Sequence, residues 1–250
     1  MAITRTSNPV FSRMSNGGIP GIKLSSTSKM TIQGTAFKTL ILLFIASFAA
    51  LYTYAQTFQA AESINAFIFG GAIAGFIIAL ITVFTPKWSP FTAPIYALCE
   101  GLFLGGISAM FEAQFPGIVI SAVMGTFGVM LSLLFLYASR IIRVTSKLRM
   151  GILAATGGVF FVILIGWILS LFHVNIPFLF GGGTSALIFT GIVAVIAALN
   201  LLLDFDMIEQ GYSYGFPKYM EWYCAFGLLV TLIWLYLEIL RFLALLRNRD

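Results

Sequence analysis

The chain has 250 residues, of which 60% are hydrophobic and 9% are charged, with a net charge of +5. Soluble globular domains carry about 25% charged residues, so this composition excludes them and indicates a protein that crosses the lipid bilayer. A spanning β-barrel would show alternating segments of about ten residues, and this sequence has none. We therefore predict an all-α polytopic membrane protein.

The first 35 residues form a polar segment that is rich in Ser, Thr, Gly and Asn and contains basic residues but no acid. A segment of this composition has too little apolar surface to fold alone. We predict a disordered basic tail over residues 1–35 and a transmembrane domain over residues 36–250.

Seven apolar runs follow the tail, and each holds about 20 residues or more, which suffices for one bilayer crossing. The connections between them are short, and no soluble domain is inserted. The predicted segments are residues 38–56, 64–84, 91–111, 117–138, 152–172, 184–204 and 220–246.

The Lys and Arg residues set the predicted orientation, because basic loops stay on the cytoplasmic side. They concentrate in the tail and in alternate loops, which places the N-terminus in the cytoplasm, and this distribution explains the net charge without nucleic acid. Arg241, Arg247 and Arg249 are the exceptions, since seven full crossings would place them outside. Either the last segment violates the rule or it is re-entrant, and both alternatives stay open.

Several acids lie in apolar surroundings, where an ionisable group costs about 2.5–3.5 kcal/mol on insertion scales and usually faces the interior of the bundle. Glu100 lies in the middle of the third segment, and we predict that it is an inward polar group. Glu238 lies in the last segment, three residues before Arg241, so the two could pair on one helix face.

The two aspartates at the end of the sixth segment cannot have the same role. At 100° per residue, Asp204 and Asp206 point about 160° apart on a continuous helix, so only one of them can face the core. We predict that Asp206 is the inward residue and that Asp204 and Glu209 are solvated at the membrane edge.

Most catalytic chemistry is excluded by what the sequence lacks. His173 is the single histidine and lies at an outer edge, so a histidine-based metal or catalytic site is not expected. The chain has no phosphate-binding Walker loop and no EF-hand. We predict neither an enzyme nor a bound cofactor.

Three short motifs occur in order along the chain: EGLFLG at 100–105, FD at 205–206 and YLEILR at 236–241. In these motifs the chain resembles the Bax inhibitor-1 family, also called the transmembrane Bax inhibitor motif family, in its bacterial YccA-like branch. The resemblance implies six helices around a central seventh, in a bacterial inner membrane.

The resemblance also implies an activity: a pH-sensitive calcium leak pathway that protects cells under stress. The family gate is a pair of carboxylates from segments six and seven that share a proton, and here the pair would be Asp206 and Glu238. Close carboxylates cannot both ionise cheaply, and their oxygens suit calcium as the permeant ion.

The gate assignment depends on how the last segment enters the membrane. A full crossing would separate Asp206 from Glu238, and Glu221 would then be the nearer partner. The resemblance also implies a basic group at the inner end of segment two that locks the closed form; this sequence has no direct match for it, and Lys87 in the following loop is the substitute. A second hypothesis is a non-conducting regulator that binds a membrane quality-control protease or another membrane protein through its basic tail.

Overall fold

Seven long helices make up most of the computed structural model, which describes residues 29–57, 61–173 and 176–249. All seven are long and apolar enough to cross a membrane, which confirms the predicted all-α fold with seven spanning segments. A 3-10 turn at Pro86–Trp88 lies between the second and third long helices, and a short helix at Pro177–Phe180 lies between the fifth and sixth. The helices are α1 (Ile32–Thr57), α2 (Ala61–Phe84), α3 (Ser89–Gln114), α4 (Ile118–Ala138), α5 (Ser146–Leu171), α6 (Pro177–Phe180), α7 (Thr184–Ser213) and α8 (Met220–Arg247).

Local sequence explains several of the helix ends. Gly117 precedes α4 with φ 82°, and Gly215 lies between α7 and α8 with φ 67°, a left-handed conformation that glycine adopts without strain. Thr145 begins α5 as an N-cap, because its hydroxyl accepts a hydrogen bond of 3.2 Å from the backbone N–H of Leu148.

The long helices alternate in direction, so their connections gather at two ends of the bundle. The end that we call the basic end contains residues 29–31 and the α2–α3, α4–α5 and α7–α8 connections. The hydroxyl of Ser89 donates to the carbonyl of Tyr219 there, at 3.0 Å. The α3–α4 connection lies at the opposite end, where Arg247 donates to the carbonyl of Pro116.

Helix α8 packs against α1, α3, α4 and α7 and has buried residues from Glu221 to Ala244. Helix α2 packs mainly on α3, and α5 packs on α7, so the expected ring of six helices around a central seventh is not confirmed. Helices α1 and α3 approach closely at Gly101 and Gly105, which have no side chain to keep the backbones apart. A Cβ atom at either glycine would overlap the α1 backbone at Ala46 or Ala50.

The last segment crosses the bundle completely. Helix α8 is uninterrupted over 28 residues, or about 42 Å, and contains no proline that would turn it back. Arg241 and Arg247 therefore lie toward the opposite end, where they bond the carbonyls of Leu179 and Pro116. The re-entrant alternative is wrong, and this helix is the exception to the charge rule.

The predicted segment boundaries differ from the structure where polar residues continue a helix. The predicted tail extends to residue 35, yet α1 begins at Ile32. Met30 is 1% exposed, and its N–H donates to the carbonyl of Phe216 at 2.7 Å. Helix α7 runs nine residues past 204, to Ser213. The rest of the predicted tail, residues 1–28, lies outside the described residues.

Candidate functional site

Asp206 lies on the face of α7 that is turned toward α5. Its carboxylate forms an ion pair with Arg149, near the start of α5, and accepts a hydrogen bond of 2.8 Å from the side chain of Gln210. The Asp206 side chain is 14% exposed. This ion pair joins α5 to α7 at the basic end.

Glu209 makes a second ion pair one turn farther along α7. Its carboxylate binds Arg140, in the α4–α5 connection, and accepts a hydrogen bond from the hydroxyl of Tyr137 at the end of α4. Glu209 therefore contacts α4 and its loop, and with its side chain 30% exposed it is both ion-paired and partly solvated.

Glu221, in the first turn of α8, is fully buried and has more polar partners than the other acids whose side chains the structure describes. It accepts hydrogen bonds from the N–H and the hydroxyl of Thr31, at 2.8 and 2.9 Å, and forms an ion pair with Lys38 of α1. Lys218 lies 3.5 Å away. Gly34 makes room for this carboxylate, since a Cβ atom there would lie 2.5 Å from it. These donors satisfy a charge that would be costly to bury alone.

Asp204 faces α8, so the prediction that it is solvated at the membrane edge is wrong. A Cβ atom at Gly227 would lie 3.8 Å from one carboxylate oxygen of Asp204, and the hydroxyl of Thr231 lies next to the same carboxylate. The other oxygen, Oδ2, is buried and has no hydrogen-bond partner among the described residues. The two aspartates do point apart, but Asp204 is the one that is turned toward the last helix.

Glu238 is half-buried, and its Oε2 atom also has no partner in the described part of the chain. The predicted pairing with Arg241 does not form within ion-pair distance. Instead, the guanidinium of Arg241 donates to the carbonyl of Leu179.

The register of α7 against α8 separates Asp206 from Glu238. Gly227 lies opposite Asp204, and Gly191 lies opposite Phe242, where a Cβ atom would be 3.3 Å from the ring. Glu238 is therefore level with about residue 194 of α7, about 18 Å along the axis from Asp206. The two do not form the expected pair, and Glu221 does not replace Glu238, because it binds α1.

The two remaining predicted residues lie away from these acids. The carboxylate of Glu100 lies against α2, where a Cβ atom at Gly75 would be 2.6 Å from it. Lys87 is exposed on the 3-10 turn before α3 and has no ion pair among the residues that the structure describes.

Sequence reasoning missed the basic partners of these acids. The sequence prediction uses Lys38 and Arg149 only for orientation, although both lie at the edge of an apolar run, where an acidic partner is expected. The described residues contain no group of three or more His, Cys, Asp or Glu side chains that could hold a metal ion. The structure thus brings together three ion-paired acids at the basic end, not a shared carboxylate pair.

A cavity of about 310 Å³ lies between α1, α3, α4 and α8, on the side of the bundle away from the basic end. Its wall is mostly apolar, and it includes the hydroxyls of Ser108 and Tyr236, which share a hydrogen bond of 2.7 Å. Leu43 and Leu229 line the part of the cavity that is nearest to Glu221.

A family model described as Bax inhibitor 1 like matches residues 8–248. No curated protein matches the chain.

Proposed function

The chain belongs to the Bax inhibitor 1 like family, and we propose that it is a pH-responsive cation leak pathway that protects cells under stress. Calcium is the proposed ion, and a bacterial inner membrane is the proposed location. The N-terminus and the basic end would face the cytoplasm, because basic residues remain on that side.

The observation that carries this proposal is the set of ion pairs at the basic end. Asp206, Glu209 and Glu221 each bind a basic residue from a different helix or loop. These contacts hold α1, α5 and the α4–α5 connection against α7 and α8. Loss of a charge in such a pair weakens a contact between helices, so the pairs are suited to close a pathway.

The chemistry of the pairs supports a response to protons and to calcium. A protonated carboxyl group no longer attracts Arg or Lys electrostatically, and a calcium ion competes for the same oxygens. Either event would favour an arrangement in which the basic end is open. The proposed gate is therefore a group of acid–base pairs in which Asp206 has a part, and Glu238 lies outside it.

The cavity supplies the second element of a pathway. It occupies the half of the bundle opposite the basic end, and Leu43 and Leu229 separate it from the buried carboxylate of Glu221. Its hydroxyl groups offer some polar contact in an apolar wall. In this proposal the described arrangement is the closed state.

Calcium flux into proteoliposomes, measured against pH with purified full-length protein, tests the proposal. We expect flux to rise as pH falls, and we expect Asp206→Asn to leak faster than the unmodified protein at neutral pH. Lys87→Gln is the matched control, because Lys87 is exposed and unpaired among the described residues. Flux that depends neither on pH nor on Asp206 would contradict the assignment.

The second candidate is a non-conducting regulator that binds a membrane quality-control protease or a similar partner. The favouring observation is that residues 29–31 are fixed against the α7–α8 connection through Met30 and Phe216, so a partner on the tail would act directly on that connection. If this function is the correct one, deletion of residues 1–28 should abolish regulation, and the purified protein should show no calcium flux with or without these residues.

A further inference from the structure

The cavity between α1, α3, α4 and α8 is open on the side that faces the lipid. Helices α1 and α4 both pack on α3 and α8, and the cavity lies in the gap between them. Its rim contains Leu51 of α1 and Phe127 of α4, which are exposed at a depth where a spanning helix meets hydrocarbon. Its floor contains Leu229 and Ile233 of α8, which are buried. A lipid chain can therefore enter the cavity sideways from the bilayer.

The two ends of the cavity differ in depth and in polarity. Leu43 and Leu229 line the end near the middle of the bilayer, about 16 and 14 Å from the basic ends of α1 and α8. Tyr54 and Ser108 line the opposite end, three and six residues before α1 and α3 end. From Leu43 to Tyr54 the cavity extends about 16 Å along α1, which is close to the hydrocarbon thickness of one leaflet, about 15 Å. The cavity thus has the length and the polarity of a lipid chain in the leaflet opposite the basic end.

An apolar chain suits this cavity better than water does. A buried water needs two to four polar partners, and cavities lined by Leu, Ile and Phe stay dry and take up apolar molecules. Among the other hydroxyls of the wall, that of Thr126 donates to the carbonyl of Ala122 at 2.8 Å, and Ser47 lies on the exposed rim. A volume of about 310 Å³ is at the lower end of the range for ligand pockets, about 300–1,000 Å³, which suits a single chain.

The hydroxyl pair of Ser108 and Tyr236 can bind the polar end of such a chain. The two oxygens lie 2.7 Å apart, and either hydroxyl can be the donor. Because each hydroxyl has one hydrogen, the hydroxyl that accepts keeps its own hydrogen for a further acceptor. The ester carbonyl of a phospholipid is such an acceptor, and it lies where the acyl chain begins. A carbonyl at this pair would direct the chain toward the apolar end of the cavity.

We propose that the cavity binds one acyl chain of a phospholipid from the leaflet opposite the basic end. The Ser108–Tyr236 pair donates to its ester carbonyl, and the end of the chain lies against Leu43 and Leu229. The second chain and the head group stay in the bilayer beside α1 and α4. The calcium leak does not require a bound lipid, so this inference goes beyond the proposed function and holds whether or not the protein conducts.

Photolabelling of the full-length protein in proteoliposomes tests the site. The probe is phosphatidylcholine with a diazirine near the end of one acyl chain. Light expels dinitrogen, and the carbene inserts into a neighbouring C–H or O–H bond. Peptide mass spectrometry should find adducts at Leu229 or Ile233, which are buried and which bulk lipid does not touch. Adducts confined to exposed residues would overturn the proposal.

Two neighbouring positions on α4 provide a matched pair of variants. Val123 lines the cavity and is 38% exposed, so Val123→Trp should fill the opening and reduce labelling of Leu229 severalfold. Met124 is 70% exposed and does not line the cavity, so Met124→Trp should leave this labelling unchanged. Equal labelling of Leu229 in the two variants would contradict entry between α1 and α4.

Competition by unlabelled lipids tests the hydrogen bond to the carbonyl. An ether-linked phosphatidylcholine has the same chains without the ester carbonyls, so we expect it to compete severalfold less well than the ester-linked lipid. This difference should disappear in the double variant Ser108→Ala/Tyr236→Phe, which lacks both hydroxyls. Equal competition by the two lipids against the unmodified protein would overturn the role of the pair.

A fatty acid with the same diazirine identifies the source of the chain. Labelling of Leu229 by the fatty acid and not by phosphatidylcholine would overturn the assignment to a phospholipid. Calcium flux in the same vesicles separates the two proposals. Labelling of Leu229 without calcium flux contradicts the proposed leak alone, whereas calcium flux without labelling of Leu229 or Ile233 contradicts this inference alone.

Discussion

Lys38 of α1 and Glu221 of α8 form an ion pair in which the carboxylate is fully buried. The pair connects the first and the last spanning helices at the basic end, and Thr31 adds two hydrogen bonds to the same carboxylate. The Lys38 ammonium also lies 5.5 Å from the centre of the Trp222 ring. The start of the membrane domain is thereby attached to the helix that packs against four others.

Lys38→Met should destabilise the protein strongly, because it leaves the buried Glu221 carboxylate without its main cation. Removal of one partner of a buried pair costs about 3–5 kcal/mol. Thermal unfolding of the purified protein in detergent measures the effect. Lys218→Met is the control: this ammonium is 3.5 Å from Glu221 and its side chain is 53% exposed, so its loss should cost about 1 kcal/mol or less. Equal effects for the two lysines would contradict the assignment.

Gly105→Ala should destabilise the contact between α1 and α3. The added methyl group would overlap the carbonyl of Ala50, a backbone atom that cannot rotate away, and overpacking of this kind typically costs about 1–3 kcal/mol. Gly128→Ala is the matched control, because a Cβ atom there meets nothing within 4 Å. Unfolding midpoints of the two variants in detergent give the comparison, and a Gly105→Ala midpoint no lower than that of Gly128→Ala would disprove the close approach.

Glu112→Ala should weaken the start of α4. The Glu112 carboxylate, at the end of α3, accepts hydrogen bonds from the N–H groups of Gly117 and Val119, the latter at 3.1 Å. Loss of a cap at a helix N-terminus costs about 0.5–2 kcal/mol. Hydrogen exchange at the first turn of α4 should increase in the variant while exchange in α7 stays the same. Unchanged protection at Val119 would show that this capping contact contributes nothing.

The number and placement of the spanning segments could be predicted because length and apolarity are local properties of the sequence. That the side chains of Asp204 and Asp206 point in nearly opposite directions could also be predicted, since it follows from the helical repeat. The sequence could not show which of the two faces α8. That depends on Arg149, 57 residues away in sequence, which binds Asp206 on the other side of α7.

The partner of Glu238 was beyond prediction for a similar reason. The charges of Arg241 and Arg247 left open that the last segment turns back, but the two guanidiniums bond backbone carbonyls at the end of the bundle opposite the basic end. Tertiary contacts thus outweigh the charge rule at this helix, and the carboxylate pair that depended on a returning segment does not form.

The ion pair of Asp206 and Arg149 should behave as one unit in the calcium leak. Asp206→Asn and Arg149→Gln each break the same contact between α5 and α7, so the double variant should leak no faster than either single variant. Contacting residues commonly show coupling of about 0.5–3 kcal/mol in such a cycle. The calcium leak rates of the variants are compared in proteoliposomes at one pH. The uncoupled control combines Lys147→Gln with Asp206→Asn, since Lys147 is exposed and has no ion pair among the described residues. Additive increases in the Asp206–Arg149 cycle would show that the two residues act independently and that their contact does not close the pathway.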